Sequence, residues 1–261
     1  MNMKNILKTV SAIYFFRTLF AASMLITFTI AALQRNSLWK DEVGIWQDAV
    51  AKTPTSKRPY FNLGVAYVKD KRPVEAEASL RHYLAVKPGE NRAVYYLAEA
   101  LFYQGKYEEA SLLLRELVHS FDRVFAGQGN EQLRREIEMA AEYWVFHYQL
   151  GVCYYHLDRF REALAEFETA LKLSPKKSEV LNQIGLTYNA MRHYDKAEKA
   201  WTDALRIDPS FGLAHESLGL LYLEKLPDRA KARRHLEETI RFFPDHPARE
   251  WLEQKISELT K

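Results

Sequence analysis

The sequence predicts an all-α protein made of antiparallel helix pairs, and three periodic features carry that prediction. Small residues recur every 34 positions, with one interval of 53, and each directly follows a Leu or Ile. An aromatic residue or Leu lies three positions after each small residue, which is the spacing of one apolar helix face. Recurrence at a fixed period indicates a repeat architecture. The small residues are Gly64, Ala98, Gly151, Gly185 and Gly219.

The second helix of each pair is marked by an alanine twelve positions after the small residue, or thirteen in the last unit. A large apolar residue follows four positions later, and a proline ends every unit except the second, where Asp122 takes its place. We expect the small residue to let two helices approach closely while the large residue fills the groove beside it. The large residues are Leu80, Leu114, Phe167, Trp201 and Leu236.

Five concordant units over residues 39–245 resemble the tetratricopeptide-repeat (TPR) family. A single helix pair leaves an apolar face exposed, and stacking against the next pair buries it. The resemblance implies a right-handed superhelical TPR solenoid of antiparallel helix pairs, and an apolar N-terminal segment adds one transmembrane helix in front of it. It also implies a scaffold that binds protein or peptide partners and is not an enzyme.

The segments follow in order from the amino terminus. A half-repeat precedes the array, because Trp46, Ala49 and Pro54 have the spacing of a second helix. The long interval predicts a 19-residue insertion that extends the following helix from about Glu131 to His156. The predicted segments are a tail at 1–9, a transmembrane helix at 10–33, a capping half-repeat at 39–56, repeats at 57–90, 91–124, 144–177, 178–211 and 212–245, an insertion at 125–143 and an amphipathic C-terminal capping helix at 246–261.

Residues 10–33 predict a membrane anchor. They are apolar except for Arg17 and small hydroxyl residues, and as a helix they are roughly 36 Å long, which is enough to cross a bilayer. Arg17 lies in the first third of the segment, where its long stem reaches the headgroups. A cleaved signal peptide is the alternative, but no convincing cleavage site follows the apolar run. We therefore expect a single-pass membrane protein.

A second resemblance bears on topology. The stretch QRNSLWKDEVGIWQDAV, followed by RPYFNLGVAY, is similar to the junction in multi-spanning O-mannosyltransferase-like membrane proteins that carry C-terminal TPR arrays. It covers residues 20–70 and implies that the repeats are periplasmic or otherwise extracytoplasmic. The catalytic multi-spanning portion of that family has no counterpart in this sequence, so transferase activity is not implied.

Composition and charge narrow the possible chemistry. The chain has 37 Lys and Arg against 34 Asp and Glu, and the two signs are interleaved along its length. This pattern does not predict the basic surface that nucleic-acid binding requires. Phosphate-binding glycine loops and known catalytic motifs are absent from the sequence. His147 and His215 occupy equivalent positions and reflect the repeat, and the single Cys153 is interpreted as a core residue. We therefore expect no cofactor, no metal site and no small-molecule substrate.

The first helix of each pair is expected to line the inner surface of the array. On it, the positions three before, one after and four after the small residue flank a candidate groove. Aromatic rings there offer contact area to a peptide or helix, although they equally pack against neighbouring helices. Asparagines there are candidate donors to a peptide backbone. The candidate groove residues are Phe61, Val65, Tyr95, Glu99, Phe102, Tyr148, Tyr155, Asn182 and Asn189.

The sequence thus predicts a membrane-anchored TPR scaffold that binds a peptide or helix of a partner protein during envelope assembly or secretion. The alternative is a non-catalytic accessory subunit of a membrane glycosyltransferase that acts in protein O-glycosylation. Co-purification with a multi-spanning glycosyltransferase would distinguish the alternative from the scaffold.

Overall fold

In the computed structural model of this protein, residues 41–123 and 143–260 are described. These residues fold into twelve α-helices without a strand, which confirms the predicted all-α class. They belong to two compact units, the first ending at Pro88 and the second beginning at Gly89. Each unit has its own core of packed helices.

The first unit has one helix packed on a helix pair. Asp41 begins the first helix, because its carboxylate accepts a hydrogen bond from the Gly44 amide. Gln47 Nε2 donates to the Tyr67 hydroxyl at 2.8 Å and so joins the first helix to the second. Pro73 opens the third helix, where a backbone donor is not needed. The helices are α1 (Glu42–Lys52), α2 (Lys57–Lys69) and α3 (Pro73–Val86).

The second unit is a run of four helix pairs followed by a single helix. The second helix of each pair packs on the first helix of the next, so each pair buries a face that it would expose alone. We number the hairpins from α2–α3 as the first to α10–α11 as the fifth. The helices are α4 (Asn91–Tyr103), α5 (Tyr107–Arg123), α6 (Tyr143–His156), α7 (Phe160–Leu173), α8 (Ser178–Ala190), α9 (Tyr194–Ile207), α10 (Gly212–Glu224), α11 (Arg229–Phe242) and α12 (Arg249–Thr260).

A glycine meets a large side chain where the two helices of four hairpins cross. A Cβ atom on Gly151 would lie 2.6 Å from Phe167 Cε1, and one on Gly185 would lie 2.6 Å from Trp201 Cε2. Carbon atoms do not approach that closely, so the crossings require glycine in this packing. The predicted pairing of small and large residues is confirmed in these four hairpins. The other glycine crossings are Gly64 with Leu80 and Gly219 with Leu236.

The turn inside each of the first four hairpins holds one residue in the left-handed backbone region. The residue after it donates its amide to a carbonyl five positions earlier, as Arg159 does to Tyr154 at 2.9 Å. Glycine adopts this conformation without strain, but three of the four turns use another residue. The left-handed residues are Lys71, Gly105, Asp158 and Arg192, with φ values of 57°, 75°, 56° and 60°.

Some predicted features lie outside the described residues. They include the membrane helix at 10–33 and most of the insertion at 125–143, with the predicted helix start near Glu131. Across residues 41–123 and 143–260, no helix has both the length and the apolar character needed to span a bilayer. Cys153 is fully buried, and burial raises the pKa of its thiol to about 12, which confirms its core role.

Candidate functional site

The predicted groove residues lie on the first helix of each of the first four hairpins, and most are half-buried. In the first unit, Phe61 packs on Tyr83 with ring centroids 5.4 Å apart. Val65 lies one turn further along α2 and is also half-buried. Both side chains therefore combine a packing role with surface that a ligand can contact.

In the second unit, Tyr95 joins α4 to α6. Its ring centroid lies 5.2 Å from that of Phe146, and its hydroxyl accepts a hydrogen bond from Gln149 Nε2 at 3.0 Å. Tyr96 packs edge-on against the Tyr95 ring, with ring centroids 5.4 Å apart. Three neighbours thus hold Tyr95 in place while part of it stays accessible, which lowers the ordering cost for a ligand that contacts it.

A second aromatic cluster lies at the carboxyl end of α4. Phe102 meets Tyr107 edge-on at 5.3 Å and His156 at 5.8 Å. Tyr107 and His156 stack in parallel with their centroids 4.3 Å apart. Burial lowers the pKa of His156, which favours the neutral ring in this stack. The cluster therefore ties α4 to α6 through neutral ring contacts.

Tyr148 and Tyr155 lie two turns apart on α6. The Tyr148 ring centroid is 6.0 Å from that of Phe167 in α7. Burial raises the pKa of the Tyr148 hydroxyl, and a hydrogen bond with Gln183 of α8 partly opposes that shift. The Tyr155 ring lies 5.7 Å from Phe160 at the start of α7. Tyr148 therefore contributes to packing among three helices as well as to the surface.

The two asparagines of α8 differ in their surroundings. Asn182 is only 6% exposed, and its Oδ1 atom has no hydrogen-bond partner among the described residues. Asn189 is half-buried and borders a cavity of about 180 Å³ that is also lined by Trp201 and Leu220. Asn189 is therefore open to a ligand, whereas Asn182 lies beneath the surface on which the sequence placed it.

Glu99 is half-buried on α4 and forms no hydrogen bond or ion pair with any residue that the structure describes. Burial raises the pKa of its carboxyl group. Tyr103, one turn further along α4, is 60% exposed, and its pKa is raised by burial and by the charge of Glu99. An unpaired acidic group thus lies among aromatic side chains.

Several residues that organise this surface were not singled out from the sequence. Phe146 and Gln149 hold Tyr95, and His156 contacts Phe102. Phe146 precedes Gly151 by five positions, where every repeat has an apolar residue, so the period alone could have identified it. Tyr103 gave no such signal. Among the other repeats only the third has an aromatic side chain at this position, which is His156.

Comparison with protein families agrees with the helix repeat. One family model, described as "Tetratricopeptide repeat", matches residues 144–177, and a second model of the same description matches residues 61–123 and 182–247. Together these ranges cover well over half of the chain. They leave out residues 124–143, where the sequence predicts an insertion.

Several solved structures share this fold. PilF of Pseudomonas aeruginosa aligns with a TM-score of 0.59 and 18% identity, over 88% of this chain and 95% of that chain. MamA of Desulfovibrio magneticus RS-1 aligns with a TM-score of 0.57 and 18% identity, over 73% and 97%. YrrB, described as a TPR protein with an unusual peptide-binding site, gives 0.52 and 20%, over 80% and 97%. Identities this low show the fold alone.

Curated relatives match a shorter stretch. The inactive TPR repeat-containing thioredoxin TTL3 of Arabidopsis thaliana is 34% identical over 88 residues, which are 34% of this chain and 13% of that protein. The TPR repeat-containing thioredoxin TTL4 of the same plant is 35% identical over 86 residues, or 33% and 12%. The chain thus spans about an eighth of the length of these relatives.

Proposed function

Because the chain belongs to the tetratricopeptide-repeat family, we propose that it is a non-catalytic scaffold that binds a peptide or helix of a partner protein. The binding surface is formed by the first helices of the hairpins in the second unit, chiefly α4 and α6. The observation that carries the proposal is the set of half-buried aromatic side chains on α4 and α6, led by Tyr95 and Tyr148. Aromatic residues that are held in place but still accessible are favoured anchors for a partner.

The ring contacts support a surface that exists before the partner arrives. Tyr95 is fixed by Phe146 and Gln149, and Tyr148 by Phe167, so neither ring must be ordered on binding. Asn189, on helix α8, offers an amide that can form hydrogen bonds with a peptide backbone. The similarity to YrrB, whose description includes a peptide-binding site, is consistent with this use of the fold.

A photocrosslinking experiment tests the binding surface in the full-length protein in its native membrane. Tyr95 is replaced by p-benzoylphenylalanine, and Leu112, which is 43% exposed on α5, carries the same probe as a matched control. We expect position 95 to capture a partner that position 112 does not, and mass spectrometry then identifies it. Capture at both positions equally, or at neither, would contradict the proposed surface.

The captured partner then allows an affinity measurement. Combining Tyr95→Ala with Tyr148→Ala should weaken binding of the purified partner at least tenfold, because two aromatic anchors are lost. Charge reversal at Glu116, which is exposed on α5, should leave the affinity unchanged. Thermal unfolding of each variant shows whether weaker binding comes from the loss of contacts with the partner or from unfolding of the protein. Unchanged affinity in a folded double variant would exclude this surface as the binding site.

We also propose that residues 10–33 anchor the protein in a membrane and that the repeats are extracytoplasmic, so that the partner belongs to envelope assembly or secretion. The apolar run and the junction resemblance support this placement. Cys153 is buried, so an Ala165→Cys variant on the exposed face of α7 supplies one accessible thiol. A membrane-impermeant maleimide should label it in intact spheroplasts. Labelling only after lysis would place the repeats on the cytoplasmic side of the membrane.

The accessory subunit of a membrane glycosyltransferase is the second candidate, and the junction resemblance favours it. The same crosslinking experiment separates the two. Recovery of a multi-spanning glycosyltransferase at position 95 would support the accessory role, whereas envelope assembly or secretion components would support the scaffold.

A further inference from the structure

Glu99 occupies a position that is aliphatic in every other repeat. It directly follows the small residue at the helix crossing, and the equivalent residues are half-buried wherever they occur. An apolar residue at this position packs against the neighbouring helix without a polar group to satisfy. Glu99 is therefore a departure from the repeat and calls for a reason of its own. The equivalent residues are Val65, Val152, Leu186 and Leu220.

The register between α4 and α6 shows what lies around the Glu99 carboxylate. Tyr95 contacts Gln149 and Phe102 contacts His156, so Glu99 lies between these two contacts, level with the aliphatic part of α6. Tyr95 and Phe102 each lie about one helical turn from Glu99 on the same face. α6 contains no lysine or arginine that could neutralise the charge.

The protein itself gains little from this arrangement. Partial burial of a carboxylate costs free energy unless a cation or hydrogen-bond donor compensates, and the described residues supply neither. Burial accordingly raises the pKa of Glu99. A positively charged group brought beside Glu99 would favour the ionised carboxylate, and the neighbouring rings of Phe102 and Tyr103 suit a cation as well.

We propose that Glu99, with Tyr95, Phe102 and Tyr103 around it, binds a lysine or arginine side chain of the partner peptide. The inference rests on the proposed peptide-binding function and adds the chemistry of one partner residue. Charge complementarity selects the occupant, because an unpaired acid among aromatic side chains disfavours an acidic or wholly apolar segment at this point. The groove as a whole then takes an apolar peptide with one basic residue in fixed register.

A peptide-display selection tests the proposal on the full-length protein in detergent, with random peptides as the probe. Wild-type protein should enrich peptides in which a lysine or arginine is flanked by apolar or aromatic residues. Glu99→Gln, which keeps the shape and removes the charge, should lose the basic preference and bind the enriched peptides about tenfold more weakly. Glu116→Gln is the matched control, because Glu116 is an exposed acid on α5 of the same hairpin.

Two further comparisons define the source of the cation. Synthetic peptides with an acetylated amino terminus should bind as well as the free forms, since the side chain and not the terminal amine supplies the charge. Replacing the basic residue with norleucine should reproduce the loss seen with Glu99→Gln, and combining the two changes should cost little more. Additive losses in that double-mutant cycle would overturn the pairing.

The outcomes separate this inference from the function on which it rests. Enriched peptides that depend on Tyr95 and Tyr148 but lack a basic preference would overturn the role of Glu99 and leave the groove intact. A selection that enriches nothing dependent on those tyrosines would overturn both. Glu99→Val should raise Tm, because it restores the aliphatic residue of the other repeats. A lower Tm would show that Glu99 is a structural residue instead.

Discussion

The third and fourth hairpins have the same core and different surfaces. Both bring a glycine against an aromatic ring: a Cβ atom would lie 2.6 Å from Phe167 Cε1 on Gly151 and 2.6 Å from Trp201 Cε2 on Gly185, where Trp201 Nε1 is nearer still. Three residues before each glycine, however, the third hairpin has Tyr148 and the fourth has the buried Asn182.

The difference shows that one hairpin can change its surface without changing its crossing. The crossing is constrained by backbone approach, which admits almost no side chain at the glycine. The position three residues before the glycine is constrained only by its neighbours, so it holds a packed ring in one hairpin and a buried amide whose oxygen has no partner in the other. Recognition can therefore diverge between repeats while the fold stays constant.

The largest expected effect removes what the two hairpins share. Gly151→Leu and Gly185→Leu should each destabilise the protein by about 3 kcal/mol or more, because the added atoms overlap an aromatic ring that cannot move without opening the helix crossing. Chemical denaturation with far-UV circular dichroism measures the change. Ala190→Leu, on an exposed position of α8, is the matched control and should be close to neutral. Small losses at the glycines would mean that the crossings are looser than described.

The next expected effect is a change of about 1 to 2 kcal/mol in the free energy of unfolding. It comes from substituting the residue three positions before the glycine, at which the two hairpins differ. Asn182→Leu should stabilise the fourth hairpin, because it replaces a buried amide whose oxygen has no partner with an apolar group of similar size. Tyr148→Asn should destabilise the third hairpin, because its ring contact with Phe167 is lost. Both are measured as changes in the free energy of unfolding. Destabilisation by Asn182→Leu would indicate that the amide has a bound partner.

Buried histidines extend the comparison to the fifth hairpin. His147 of the third hairpin contacts the Glu166 carboxylate at 2.6 Å, whereas His215 of the fifth contacts His235 with their Nδ1 atoms 3.0 Å apart. His215 Nε2 is 3.1 Å from the Pro209 carbonyl and must donate to it. One of the two facing Nδ1 atoms donates a hydrogen bond and the other accepts it, so the two rings cannot both carry a hydrogen at Nδ1.

This pair predicts a pH dependence of a few degrees in Tm. Burial lowers the pKa of His235 to about 4, from 6.5, and His215 and Arg234 add to the shift. Between these values the unfolded chain binds a proton that the folded chain does not, so stability falls as pH drops from 6.5 to 4. His235→Asn keeps a donor and removes the titration, so its Tm should fall less over this range. Parallel curves would exclude His235 as the group responsible.

The smallest effect concerns the turns. The fourth hairpin holds Arg192 and the third holds Asp158 in the left-handed region. Arg192→Gly should stabilise by less than about 1 kcal/mol, since strain is relieved while the unfolded chain gains freedom. Asp158→Gly should gain less, because aspartate tolerates this conformation better than arginine. Urea denaturation measures the change in the free energy of unfolding for both variants. Equal stabilisation by the two substitutions would contradict the expectation that arginine is more strained than aspartate in this conformation.

The helix pairs and their crossings could be predicted from the sequence because each follows from a single period. Gly151 and Phe167 have the same separation in sequence as the corresponding small and large residues of the first, second and fourth hairpins, and that separation brings them together in a hairpin. These features depend on local spacing, which the sequence states directly.

The candidate site was less predictable because it depends on contacts between hairpins. Asn182 was placed on the surface by its repeat position, but the actual depth of the side chain depends on the neighbouring helices. The hydrogen bond from Gln149 to Tyr95 joins residues 54 positions apart across the insertion, which no period encodes. Glu99 was visible as an exception among aliphatic residues, but its lack of a partner required three-dimensional positions.

The packing of each hairpin on the next has a consequence for how the second unit forms. Helices there contact chiefly their neighbours in the sequence, so the contact order is low and folding should be fast. An early hairpin can bury part of its surface while later ones are still being synthesised, and each new hairpin then extends an existing template. We expect a repeat protein of this kind to acquire its structure in the order in which its chain is made.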